Sequence, residues 1–155
     1  MSNFRTVFTN LAALTITVSS TTPQAFDLNA IPPDVNPAKL PCRILLPFGA
    51  EAEQGHAFTF TEFLNSQAAE ATWHITDLCL WATVGAGRGL QSYAATLASY
   101  AAAYLEVIRT NWQIAAYCQI VGATFGIGAF EYPGGSGQYY FGVECKVEVQ
   151  ELFPQ

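Results

Sequence analysis

The chain has 155 residues, enough for one domain, with 51% hydrophobic but only 12% charged residues, about half the charged share of a typical soluble domain. Six basic against twelve acidic side chains leave a net charge of −6, and Arg5, Lys39, Arg43, Arg88, Arg109 and Lys146 are scattered with no two adjacent. That excludes the cationic footprint of a broad DNA or RNA binder, and so few charges point to apolar surface buried against other subunits.

The N-terminus places Phe4, Val7, Phe8, Leu11 and Leu14 at helical spacing, with Ser2 or Asn3 available as a cap. Arg5 and the apolar run to Val18 invite a signal-peptide reading. Thr9, Asn10, Thr15 and Thr17 interrupt that run, and no small-residue cleavage site closes it. Residues 15–20 are rich in β-branched types and predict a strand. Residues 22–41 hold Pro23, Pro32, Pro33, Pro37 and Pro41, which predicts a long surface loop. A short apolar strand over 42–47 suits the centre of a sheet. Residues 48–70 read as a second long loop, in which the alternation from Phe58 to Phe63 suggests a strand or hairpin arm. These two loops are the expected partner-contacting parts.

Residues 73–84 then read as a strand, followed by Gly85, Gly87 and Gly89 and a helix over about 90–110. On the helix, Leu90, Tyr93, Leu97, Tyr100, Tyr104 and Ile108 form one stripe, while alanines fill much of the remaining surface. A helix apolar all round needs cover on two sides: its own sheet, and either another part of the domain or a neighbouring subunit. A strand over 114–130 is broken by Gly122, Gly126 and Gly128, which suggests bulges. After a turn at 133–137, residues 138–152 alternate cleanly. Val143, Cys145, Val147 and Val149 point one way; Glu144, Lys146, Glu148 and Gln150 point the other. The expectation is a single α+β domain over 1–155. Its sheet is mainly antiparallel or mixed, with a long helix packed on one face and a short N-terminal helix.

The chemical motifs are thin. Strand, glycines and helix are the order a phosphate-binding loop needs, but the dinucleotide fingerprint requires a third glycine where Leu90 stands. Glu106, near the spacing of the acidic ribose ligand, falls inside the helix, and no Gly-Lys-Ser/Thr makes a P-loop. His74 and Cys79 share a strand at odd spacing and so face opposite ways, and His56 stands alone. The cysteines Cys42, Cys79, Cys118 and Cys145 form no C-x-x-C pair and read as reduced core thiols. No nucleophile elbow or paired carboxylates stand out. The expectation is a non-enzyme without catalytic, cofactor-binding or metal-binding residues. A small phosphate- or nucleotide-binding domain using the turn from Gly85 to Gly89 is the alternative.

In the order of these segments the chain resembles the tail terminator (neck, or tail-completion) proteins of long-tailed bacteriophages. The carriers are the N-terminal FRTVFTNLAAL helix, the strand expected after it, the proline-rich connection ending in LPCRILLP, the 73–84 strand, the Gly-x-Gly-Arg-Gly-Leu turn with the helix behind it, and the terminal hairpin ending in YYFGVEC. The resemblance spans nearly the whole chain, and other ring-forming neck or tail proteins share it. It implies a structural virion subunit, made in the host cytoplasm, that forms a hexameric ring. Such a ring caps the tail tube protein and presents the joining surface to a head-completion or connector protein, while DNA passes through the lumen without specific binding. No membrane partner is expected, and if the face carrying Glu144 and Glu148 lines the lumen, an acidic channel would let DNA slide through without sticking.

Overall fold

A computed structural model describes residues 2–47, 59–62, 68–85 and 87–154. Helix α1 (Phe4–Ala13) is followed by β1 (Gln24–Phe26), β2 (Cys42–Leu46), β3 (Thr59–Glu62) and β4 (Ala68–Thr83). Helix α2 (Ala94–Thr110), β5 (Cys118–Glu131) and β6 (Tyr139–Pro154) complete the chain. The strands form one sheet in the order β1-β2-β4-β6-β5, with β3 paired to the first part of β4. Only β1 and β2 run parallel among these pairings. The fold is α+β with a mixed sheet.

The period-two pattern of β6 sets the two faces. Val143, Cys145, Val147 and Val149 lie opposite Cys79, Asp77, Ile75 and Trp73 of β4. These valines and cysteines are fully buried, in a cluster shared with Val7, Phe8 and Leu11 of α1 and Leu97, Tyr100, Tyr104 and Ile108 of α2. At about 1.5–3 kcal/mol for each large apolar side chain removed from water, this cluster is the chief source of stability. Gly142 is required by the same packing. It lies beside a bulge in β4 between Leu80 and Ala82, where an added Cβ would sit 2.0 Å from the Cys79 carbonyl oxygen.

The reverse face carries a second cluster built from Cys42, Ile44, Leu46, Leu78, Leu80, Phe130, Tyr132 and Tyr140. Its cover comes from the proline-rich segment, through Val35, Phe26, Ile31 and Leu40. The Tyr140 hydroxyl donates to the Val35 carbonyl, and the Tyr132 hydroxyl to that of Pro32. The 22–41 stretch is therefore more than a loop. It contains β1, and Asn36 caps a 3-10 turn over Pro37–Lys39 by accepting the Ala38 N–H at 2.9 Å. Proline spacing concealed the apolar residues between the prolines, and burying those residues is what ties the segment down.

Residues 15–20 do not form the expected strand. Val18 and Thr21 exchange two backbone hydrogen bonds of 2.9 Å around Ser19 and Ser20, whose φ values are 48° and 67°. Two successive positive φ angles make the tight hairpin turn that matches strand twist. Local turn chemistry overrides β-branched propensity here. Most of 48–70 lies outside the described residues; within it, β3 pairs antiparallel with β4, and β4 begins at Ala68, ahead of the expected 73.

Candidate interaction surface

The most elaborate polar cluster is buried. Arg43 of β2 and Asp77 of β4 form an ion pair of 2.6 Å with both side chains at most 1% exposed. The Arg43 guanidinium also donates to the carbonyls of Leu14 and Leu11, at 2.6 and 2.8 Å, closing the C-terminus of α1. Tyr104 of α2 donates its hydroxyl to Asp77 at 2.7 Å. The five groups named here come from β2, β4, α2 and the end of α1, so the cluster fixes both helix positions relative to the sheet. Burial works against the Arg43 charge, but the Asp77 carboxylate overrides it and holds the guanidinium above its ordinary value. Burial first, then the Asp77 charge, pushes the Tyr104 phenol well up. The same two causes raise the Cys79 and Cys145 thiols, and burial alone takes Cys42 to about 11. These groups hold their protons and have no opening to solvent. Their arrangement joins elements.

A second buried carboxylate, Glu151, accepts hydrogen bonds from the Asn3 N–H, from the Ser2 hydroxyl at 2.8 Å and from the Trp73 indole at 2.9 Å. Phe4 stacks on Trp73 with ring centroids 4.2 Å apart. The start of α1 is thus held by the end of β6. Neither Arg43–Asp77 nor Glu151 was singled out from sequence. The available signal was a charge inside an otherwise apolar strand, in CRILLP and in TDLCL.

The residues weighed for chemistry do not converge. Gly85 and Gly87 have φ of 107° and 72°, conformations that favour glycine. Yet α2 begins only at Ala94, after a 3-10 turn over Leu90–Ser92, so the glycines do not open directly onto its N-terminus. Arg88 is exposed beside them. His74 and Cys79 occupy opposite sheet faces, as their odd spacing requires. His56 lies outside the described residues. All four cysteines are free and buried, and among the described residues no three His, Cys, Asp or Glu are grouped to hold a metal. On the polar face of β6, Glu144 and Glu148 are partly exposed, and Lys146 between them pairs with Glu144 at 3.4 Å.

The outer surface of α2 and β5 is of another kind. Leu105, Ile108, Arg109, Trp112, Ile120, Val121, Gly122 and Ala123 line a shallow groove of about 300 Å³. Leu105, Trp112 and Val121 are each about half exposed. Ala94, Ala95, Ala98 and Ala102 are open to solvent on α2. Beside the groove, β5 is the last strand of the sheet. The Ile120 N–H is taken by the Trp112 carbonyl at 2.7 Å, and beyond it the outer edge of β5 has no paired strand among the described residues. A small cleft of about 190 Å³ lies between Phe26, Pro32, Asp34 and Lys39. No helix among the described residues is long and apolar enough to cross a membrane.

No protein-family model matches the chain, and comparison with curated proteins finds no match.

Proposed function

We propose that the chain is a structural subunit of a bacteriophage tail, a tail terminator that assembles as a hexameric ring. In this reading it is not an enzyme. The ring caps the tail tube, ends its growth and offers the surface to which a head-completion or connector protein binds. DNA passes through the lumen without specific binding. Within each subunit α2 lies along one face of the sheet, with its alanine side turned towards a neighbour. The observation that carries the reading is the half-exposed apolar groove beside an open sheet edge, in a chain whose buried ionic groups tie elements together. Resemblance in segment order supplies the particular identity.

Electron microscopy of the full chain mixed with purified tail tubes tests it. Six-fold rings at tube ends are expected, together with an arrest of tube elongation. Tubes that stay uncapped and keep growing would refute the proposal. A parallel thermal melt with nucleotides and inorganic phosphate addresses the glycine turn. A ligand at a hundred times its Kd stabilises by about 2.7 kcal/mol, and such a shift would favour the phosphate-binding alternative.

A further inference from the structure

Edge strands are usually guarded against pairing by charge, proline or brevity. β5 has little such protection. It is 14 residues long, contains no proline, and carries no charge before Glu131 at its end. A bulge between Ile120 and Gly122 is its one irregularity, and it turns Val121 outwards, half exposed. Five large apolar residues left exposed along the adjoining chain are Leu105, Trp112, Tyr117, Val121 and Ile127. Only three others as exposed, Val84, Tyr139 and Leu152, occur among the described residues. The apolar excess is therefore concentrated on this side of the molecule.

We infer that the β5 edge, with the groove between α2 and β5, is the contact surface for a second copy of this chain, which adds a strand to the sheet and covers Leu105, Trp112 and Val121. The assignment of this contact to the ring rests on the tail reading; the contact itself does not. Area argues for a folded partner of this size. Half of a large aromatic side chain is about 100 Å², so Trp112 and Tyr117 alone offer about a quarter of the about 800 Å² that each partner buries in a standard interface, and Leu105, Val121 and Ile127 add to it. The strand edge and the alanine side of α2 can supply the remainder. Charge favours neither a strongly basic nor a strongly acidic partner. A basic partner finds no carboxylate on β5 before Glu131, and an acidic one finds at the groove only Arg109, already paired with Glu106 at 2.6 Å. Copies bearing −6 each repel one another over most of their surface. Along this uncharged edge that repulsion is least, and main-chain pairing needs no charge at all.

Sedimentation equilibrium on the full chain tests the inference. Wild type is expected to associate with rising concentration. Val121→Lys and Leu105→Lys, both at exposed positions, are expected to raise the dissociation constant at least tenfold with the thermal midpoint unchanged. Val84→Lys, an exposed apolar site off this surface, should change neither. Wild type that stays monomeric over its soluble range overturns the proposal, and so does Val121→Lys associating like wild type. Association through β5 without ring formation on tail tubes would sink the tail reading and leave this contact standing. Tube capping that survives Val121→Lys would do the reverse.

Discussion

Arg43 shows how one side chain can decide the arrangement of several elements. Its ion pair with Asp77 is desolvated, so its net contribution against an apolar replacement is small, while breaking one half is costly. Arg43→Ala would leave the Asp77 carboxylate buried without its cation and the Leu11 and Leu14 carbonyls without their donor. The expected loss is about 3–5 kcal/mol, read from urea unfolding. The double variant Arg43→Met with Asp77→Leu removes both charges and should lose clearly less than Arg43→Ala. Equal losses would show that packing, not the stranded carboxylate, dominates. Arg43→Lys should not rescue, because one ammonium cannot reproduce the forked geometry that spans a carboxylate and two helix carbonyls.

Between residues 15 and 21 the chain shows what a short element can hide. Thr15, Ile16, Thr17 and Val18 favour extended backbone, but Ser19 and Ser20 take left-handed conformations that cost an L-residue roughly 1–2 kcal/mol each. Glycine bears no such cost, so Ser20→Gly should raise stability by about 0.5–1 kcal/mol, seen as a higher thermal midpoint. A lower midpoint would mean that the serine side chain holds the turn. The long elements were legible for the opposite reason. Residues of α2 and β6 repeat their periods over many positions, so Tyr100, Tyr104, Val143 and Val147 could be placed in the core from spacing alone. The Arg43–Asp77 pair was not legible, because it joins positions 34 residues apart through a register that neither strand encodes by itself. The 22–41 segment misled in its own way. Its prolines predict extended chain correctly, but Phe26, Ile31 and Val35 find an apolar face that only the assembled sheet provides.

At the scale of the whole molecule, low charge content and an exposed apolar edge belong to one design. The copies carry −6 apiece, so long-range repulsion opposes any encounter. The β5 edge, having no charges of its own before Glu131, gains nothing from ionic attraction to offset it. Salt therefore acts on only one side of the balance. Raising ionic strength from roughly 0.1 to 1 M shortens the screening length from about 10 to 3 Å and weakens the repulsion while leaving backbone pairing and apolar burial intact. Self-association should tighten severalfold over that range, measured as a falling dissociation constant in sedimentation. An interface built on ion pairs would loosen instead. Loosening would place the contact among charged residues elsewhere, such as Glu144 or Lys146, and away from the strand edge.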